Sequence, residues 1–75
     1  MRSPLLTQRE RQVLQLLVDG ATNAEISKRL KISPETTKHH LAAIFKKLNS
    51  TNRTQALVRA VATGLVDIEL LTTDG

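Results

Sequence analysis

The chain contains no cysteine, tryptophan or tyrosine, and Phe45 is its one aromatic residue. Without cysteine, neither a disulfide nor a cysteine-ligated zinc site can stabilise a domain of 75 residues. A protein that binds single-stranded nucleic acid by base stacking needs several exposed aromatic rings, so this class is disfavoured. Apolar runs such as residues 16–18 are only a few residues long. We therefore expect neither a signal peptide nor a membrane-spanning segment.

Acidic residues are scarce in the middle of the chain. Residues 21–60 contain eight lysine and arginine residues but two glutamates, whereas residues 61–75 contain three acidic residues and no basic one. The net charge of +4 is thus concentrated in one part of the sequence. Such a concentration is what a polyanion-binding surface needs. A lysine-rich helix face exposed to solvent has a similar composition, so charge alone leaves both interpretations open.

Residues 33–48 are predicted to form one helix with two different faces. Ser33 is a typical N-cap residue, Pro34 suits the first helical position, and Glu35 lies near the positive end of the helix dipole. One side should face the core, because residues suited to burial recur there at helical spacing next to Phe45, namely Thr37, Leu41, Ile44 and Leu48. The other side carries charged or small residues that could face solvent or another molecule, namely Glu35, Lys38, His39, Ala42 and Lys46.

Two helices are predicted before this one. The first begins at Thr7, which can form a capping box with Glu10, and ends at Gly20, where glycine can adopt the left-handed conformation. The second is about two turns long. It begins at Thr22 or Asn23, and its inward residues are Ile26 and Leu30. A short helix, a tight turn and a longer capped helix together form a helix-turn-helix.

A fourth helix is predicted from about residue 53 to residue 63, with Gly64 as its stop signal. One of its apolar stripes can cover the core, but a second stripe lies on another side and consists of Val58, Ala62 and Leu65. A domain this small cannot bury both stripes, so we interpret the second as a dimer interface. The alternative is that small apolar residues are scattered over an ordinary surface.

The two ends of the chain are predicted to lie outside the four-helix domain. We assign residues 6–66 to this domain, residues 1–5 to an N-terminal arm or linker, and residues 67–75 to a C-terminal tail. Residues 66–71 alternate like a strand, but no other stretch offers a strand to pair with. We therefore expect the tail to be loosely ordered.

A series of motifs resembles the LuxR-type helix-turn-helix domain, the DNA-binding end of quorum-sensing activators and of many two-component response regulators. The resemblance spans residues 6–65 without gaps, and so many matches in order are a specific signal. They are, in sequence order, Leu6-Thr7-x-Arg9-Glu10, Val13-Leu14, Leu16-Leu17, Gly20, Asn23-x-Glu25-Ile26, Leu30, Ile32-Ser33, Thr36-x-Lys38-x-His40-Leu41, Ile44, Lys47-Leu48 and Arg53-Thr54-Gln55-Ala56.

Three positions depart from the pattern of this family. Ser27 stands where alanine is usual, Thr37 where valine is usual, and Asn49 where glycine is frequent. These changes are similar in volume or compatible with a turn. If Thr37 is buried, its hydroxyl needs a hydrogen-bond partner.

The resemblance implies an all-α domain of four helices, with the third helix in the major groove of double-stranded DNA and the fourth paired with its counterpart in a homodimer. It also implies a cytoplasmic bacterial transcription regulator, in which such a domain usually follows a sensor or receiver domain. The sequence leaves open whether the chain is an excised domain or a short stand-alone regulator.

The expected base contacts are Lys38, His39 and Ala42, because they lie on the outward face of the first turns of the third helix. Lysine can donate to guanine O6 and N7, histidine can donate to an acceptor edge, and alanine can touch a thymine methyl group. The expected phosphate contacts are Thr22, Asn23, Thr36, His40, Lys46, Lys47 and Arg53. The alternative is that these side chains form a solvated surface.

No enzyme activity, metal or cofactor is predicted. His39 and His40 are adjacent and point about 100° apart on a helix, so they cannot bind one ion together. No glycine-rich phosphate loop, carboxylate pair or nucleophile with its base is recognisable. The alternative function is a protein-interaction module that pairs through the fourth helix with a full-length regulator and does not bind DNA. Only DNA binding requires the basic face of the third helix.

Overall fold

In the computed structural model, which describes residues 6–64, the chain folds into four α-helices. They are α1 (Gln8–Val18), α2 (Asn23–Leu30), α3 (Pro34–Lys47) and α4 (Arg53–Ala62). The predicted all-α fold, with α2 and α3 as the helix-turn-helix, is confirmed. No helix in this part of the chain is long and apolar enough to cross a membrane. The predicted dimer residue Leu65, the arm at residues 1–5 and the tail at residues 67–75 lie outside the described residues.

Each helix begins at a residue whose side chain accepts a hydrogen bond from a free backbone amide of the first turn. These N-cap residues are Thr7, Thr22, Ser33 and Asn52. Thr22, rather than Asn23, caps α2 and forms a capping box with Glu25. Losing such a cap costs about 1 kcal/mol, so the short helices depend on these local contacts.

The turn between α2 and α3 contains a lysine in the left-handed conformation. Lys31 ends α2 with a φ of 56°, a region that glycine usually occupies. Two hydrogen bonds hold this turn: the Lys31 amide donates to the Lys28 carbonyl, and the Ile32 amide donates to the Ser27 carbonyl. A left-handed residue other than glycine costs roughly 1–2 kcal/mol. Packing of α3 against α2 has to offset this cost.

The core lies around α3, which contacts each of the other three helices. The predicted inward side of α3 is confirmed, because Thr37, Leu41, Ile44 and Leu48 are all buried. The other helices add apolar side chains from three sides, namely Val13, Leu14, Leu17, Ile26, Ala56 and Ala60. Burying a leucine or isoleucine contributes about 1.5–3 kcal/mol. This contact holds α3 in place and leaves its opposite side free.

A buried carboxylate ties α1 to the end of α3. The Glu10 residue is 6% exposed, and its Oε1 accepts hydrogen bonds from the Thr7 amide at 3.0 Å and from Lys47 Nζ at 2.7 Å. The hydrogen bond from Lys47 lowers the pKa of Glu10, although burial acts in the opposite direction. Glu10 therefore stays ionised near neutral pH, where it both caps α1 and pairs with Lys47.

Candidate nucleic-acid interface

The side of α3 opposite the core is exposed and basic. Lys38, His39 and Ala42 all lie exposed on the first turns of the helix. Because a helix repeats every 3.6 residues, the spacing that buries Leu41 and Ile44 directs these three residues outward. The residues predicted to contact bases therefore share one surface.

An open hollow of about 490 Å³ lies beside this surface and is shared by three helices. From α3 it receives Lys38, His39, Leu41, Ala42 and Phe45; from α2 and α4 it receives Asn23 and Arg53. Apolar and cationic side chains thus line the same concave surface. The apolar part suits thymine methyl groups or sugars, and the cationic part suits phosphates.

Arg53 holds the start of α4 against the start of α2. Its Nη1 donates to Asn23 Oδ1 at 3.0 Å, and its Nη2 donates to the Ala21 carbonyl at 2.7 Å. Both Arg53 and Asn23 were predicted as phosphate contacts, and the structure brings them together at the N-terminal end of α2. Their contact with each other was not predicted, because the two residues lie 30 positions apart.

Three other predicted phosphate contacts lie in different surroundings. Thr22 is exposed at the N-terminus of α2, where its Oγ1 caps the helix. Thr36 is half-buried, and its hydroxyl lies 2.9 Å from Ser33 Oγ. His40 is half-buried on the side of α3 nearer α1 and, after the larger effect of the Lys47 hydrogen bond, helps to lower the pKa of Glu10. Of the three, Thr22 is the most accessible.

The two lysines at the C-terminal end of α3 are adjacent but differ in their contacts. Lys46 is exposed, whereas the Lys47 side chain is 36% exposed and its ammonium is bound to Glu10. An ammonium group has three donors, so Lys47 can still reach a phosphate while it is paired. Its ion pair, however, gives it a structural role that the sequence prediction did not include.

The exposed side of α4 carries an apolar residue. Val58 is 62% exposed and is the only large hydrophobic residue in the described part of the chain that is exposed. Ala62, one turn further along, is exposed as well. The buried residues Ala56 and Ala60 lie on another side of the helix. The two predicted stripes of α4 are therefore separate, as far as the described residues reach.

Within residues 6–64, no three histidine, cysteine, aspartate or glutamate side chains lie close enough together to hold a metal ion. His39 is exposed and His40 is half-buried. The two side chains differ in burial although they are neighbours in the sequence.

The family model described as bacterial regulatory proteins of the luxR family matches residues 4–60, which include α1, α2, α3 and most of α4. The chain belongs to the LuxR family. It is a helix-turn-helix DNA-binding domain of a transcription regulator, and the family consists of transcription factors rather than enzymes.

Two curated relatives show how much of a regulator this LuxR-type domain represents. It is 40% identical over 65 residues to the spore germination protein GerE of Bacillus subtilis, covering 87% of this chain and 88% of GerE. It is 45% identical over 69 residues to the transcriptional regulatory protein DegU of Brevibacillus brevis, covering 89% of this chain but 29% of DegU. The chain thus spans most of GerE and less than a third of DegU.

Solved structures of LuxR-type proteins share the fold. The transcription factor GerE aligns with a TM-score of 0.79 at 37% identity, over 89% of this chain and 98% of GerE. A dimer of VqmA from Vibrio cholerae, in the absence of target DNA, aligns with a TM-score of 0.82 at 27% identity, over 95% of this chain and 33% of VqmA. A complex of VqmA with ligand and DNA aligns with a TM-score of 0.80 at 28% identity, over 87% and 28% of the two chains.

Two of the three positions noted above as departures from the pattern of the resembled family contact each other. Ser27 and Thr37 are both buried, and their hydroxyl oxygens lie 2.7 Å apart. Ser27 Oγ also donates to the Asn23 carbonyl at 3.0 Å. The partner that a buried Thr37 requires is thus Ser27. The third departure, Asn49, adopts the left-handed conformation that glycine would provide, with a φ of 56°.

Proposed function

We propose that this domain reads double-stranded DNA by inserting α3 into the major groove. The observation that carries the proposal is the exposed surface formed by Lys38, His39 and Ala42, directly opposite the buried stripe of α3. In a helix-turn-helix, this part of the second helix meets base edges. Lys38 donates to a guanine, His39 donates to an acceptor edge, and Ala42 touches a thymine methyl group.

The phosphate contacts lie on both sides of this base-reading surface. At one side, the N-terminus of α2 presents Thr22 and Asn23, and Arg53 adds a positive charge next to them. A helix N-terminus favours anions because its first amides lack intrahelical partners. At the C-terminal end of α3, Lys46 and Lys47 supply further positive charge, and Thr36 and His40 lie between the two ends. These contacts fix the position of the domain and supply most of its affinity.

The domain binds a two-fold symmetric site as a dimer that forms through α4. Val58 and Ala62 provide the contact, and Leu65 continues the same stripe in the sequence. An exposed valine contributes little by itself, so the interface is small and forms on DNA, where two adjacent half-sites hold the subunits together. A regulator of this kind acts on the bacterial chromosome in the cytoplasm.

Titration of duplex DNA at several salt concentrations tests the proposal. We expect the logarithm of affinity to fall linearly with the logarithm of salt concentration, with the slope of about 4–8 phosphate contacts per dimer. If α4 instead serves a protein-interaction module that does not bind DNA, no duplex is bound even at low salt. That outcome would refute DNA binding and favour the alternative function.

Val58→Asp tests the dimer interface. Because Val58 is 62% exposed, we expect the variant to fold normally. The buried charge should weaken pairing of α4, so affinity for a duplex with two half-sites should fall roughly tenfold while affinity for one half-site stays nearly unchanged. Sedimentation velocity of the complexes and fluorescence anisotropy of labelled duplexes measure both effects.

The control for this variant is Gln12→Asp, which adds the same charge on an exposed part of α1. Any loss of affinity that both variants share reflects repulsion from DNA. If Val58→Asp binds the two-half-site duplex as tightly as Gln12→Asp does, α4 is not the dimer contact.

A further inference from the structure

The hydroxyl groups of Ser27 and Thr37 form a directed chain of hydrogen bonds between α2 and α3. Each hydroxyl group has one proton. Ser27 Oγ lies 3.0 Å from the Asn23 carbonyl, which can only accept, and 2.7 Å from Thr37 Oγ1, where either hydroxyl can be the donor. Since the Ser27 proton is used on the Asn23 carbonyl, we infer that Thr37 donates to Ser27. Thr37 is fully buried and Ser27 nearly so. The chain therefore links the second turn of α3 to the first turn of α2 inside the protein.

We propose that Ser27 and Thr37 are a matched pair of positioning residues for DNA recognition. This inference rests on the proposed function. Thr37 directly precedes Lys38, the expected base contact, and the chain ends at Asn23, an expected phosphate contact. The pair thus connects the residue that reads a base to the residue that anchors the domain on the backbone. Neither hydroxyl touches the hollow itself, since its lining residues do not include them.

A hydrogen bond constrains two helices differently from an apolar contact. Its strength falls steeply as its length and angle change, whereas burial of apolar surface is not directional. The buried residues next to this pair on the two helices are apolar: Ile26 precedes Ser27, and Leu41 lies one turn after Thr37. Among the described residues, the Ser27–Thr37 bond is the one side-chain hydrogen bond between α2 and α3. It therefore adds a directional constraint, beside the hydrogen bonds of the turn, on where Lys38 lies relative to Asn23.

The pair is matched because one hydroxyl group needs the other. Alanine at 27 together with valine at 37 would bury two apolar groups against each other and leave no polar group unsatisfied. Alanine at 27 with Thr37 retained removes the acceptor from a fully buried hydroxyl. Valine at 37 with Ser27 retained is milder, because Ser27 still donates to the Asn23 carbonyl. A buried polar group without a partner costs more than the loss of both partners together.

The test compares four proteins: the wild type, Ser27→Ala, Thr37→Val and the double variant. Affinity is measured for a duplex that the wild type selects from a random pool and for a scrambled duplex of the same composition. The affinities are measured at a temperature at which every variant is folded without urea, as shown by urea-unfolding curves followed by circular dichroism. Thr37→Ser, which retains the hydroxyl, serves as the conservative variant and should keep the wild-type ratio of the two affinities.

We expect Ser27→Ala to lose roughly five- to tenfold affinity for the selected duplex and less than about twofold for the scrambled one. Thr37→Val should lose about two- to fivefold on the selected duplex. The double variant leaves no hydroxyl unpaired but lacks the directional bond, so it should remain about two- to fivefold below the wild type instead of showing the product of the two single losses. The unfolding equilibrium should show the same non-additivity.

If the wild type binds duplex DNA, two results would overturn the inference. If the fold loss of affinity in the double variant equals the product of the losses in the two single variants, the residues are not matched. Single variants that unfold more readily but keep the ratio of selected to scrambled affinity would show stabilisation without positioning. A wild type that binds no duplex would refute the proposed function and the positioning role with it. In that case, the unfolding data still test whether Ser27 and Thr37 are matched. They are not matched if the change in the free energy of unfolding in the double variant is the sum of the two single changes.

Discussion

Replacing Lys38 by alanine should weaken binding to the preferred duplex by about 1–3 kcal/mol, which is roughly 5- to 150-fold, and should relax discrimination at one base pair. The reason is that Lys38 is exposed on the outward face of α3 and lines the hollow next to Ala42 and Arg53. A lysine that donates to guanine O6 and N7 increases the affinity for duplexes with guanine at that position, but not for duplexes with another base there. Affinities for the selected duplex and for its single-base variants measure the effect.

The matched control for Lys38→Ala is Lys46→Ala. Both lysines are exposed on α3, but Lys46 lies two turns further along, where we propose that it contacts phosphates. Its removal should weaken all duplexes alike and reduce the salt slope by about one. If Lys38→Ala also weakens every sequence equally, or leaves the selected duplex unaffected, the orientation of α3 in the groove is wrong.

Replacing Lys47 by methionine should lower the free energy of unfolding by about 1–3 kcal/mol. The substitution keeps most of the aliphatic chain but leaves the Glu10 carboxylate buried without its ion-pair partner. Removing one member of a fully buried pair costs about 3–5 kcal/mol, and the 36% exposure of the Lys47 side chain reduces this figure. The expected loss is large for a small domain, whose whole stability is about 5–10 kcal/mol. Urea unfolding followed by circular dichroism measures it.

Acid should reduce the difference between the wild type and Lys47→Met. In the wild type, the Lys47 hydrogen bond lowers the pKa of Glu10 in the folded state. The stabilisation is therefore present above the pKa of an unfolded glutamate, about 4.3, and is lost as the pH falls below it. In the variant, burial of Glu10 acts without this partner and favours the protonated form. The two proteins should thus become more similar in stability between pH 6 and pH 3.

Two variants separate the ion pair from other effects of the change. Lys46→Met removes the same charge from an exposed neighbour and should alter stability by less than about 0.5 kcal/mol. Glu10→Gln combined with Lys47→Met removes both charges while the amide oxygen can still cap α1, so it should recover part of the loss. Equal stabilities of Lys46→Met and Lys47→Met would show that the ion pair contributes nothing.

Local signals in the sequence predicted the four helices and the side of each that is buried. Capping residues such as Thr7 and Ser33 accept hydrogen bonds from amides only three positions away, so they mark a helix start locally. The helical spacing of residues such as Leu41 and Ile44 indicates the buried side of a helix even when the other helices are not considered. Lys31 carries no such signal, because nothing in its residue type indicates a left-handed conformation. Its backbone is determined by the packing of α3 against α2.

The outward face of the candidate site could be predicted, but the contacts among its side chains could not. Lys38, His39 and Ala42 follow from the period of one helix. The Arg53–Asn23 and Lys47–Glu10 pairs join residues 30 and 37 positions apart, and no local pattern relates such positions. The Ser27–Thr37 contact joins the two helices of the helix-turn-helix. Both residues stood out as departures from the family pattern, but the sequence did not indicate that they contact each other.

The Arg53 side chain connects the proposed dimer surface with the proposed DNA-binding surface. A symmetric DNA-binding protein must keep the distance between these two surfaces fixed. Arg53 is the first residue of α4 and binds Asn23 and Ala21 at the start of α2. In the proposed dimer, α4 lies on the two-fold axis and the start of α2 lies on the DNA backbone. The length of the spacer between half-sites then depends on residues that touch no base, whereas the half-site sequence depends on three residues of α3. Duplicated regulators could therefore diverge in the sequence they recognise while inheriting the spacer unchanged.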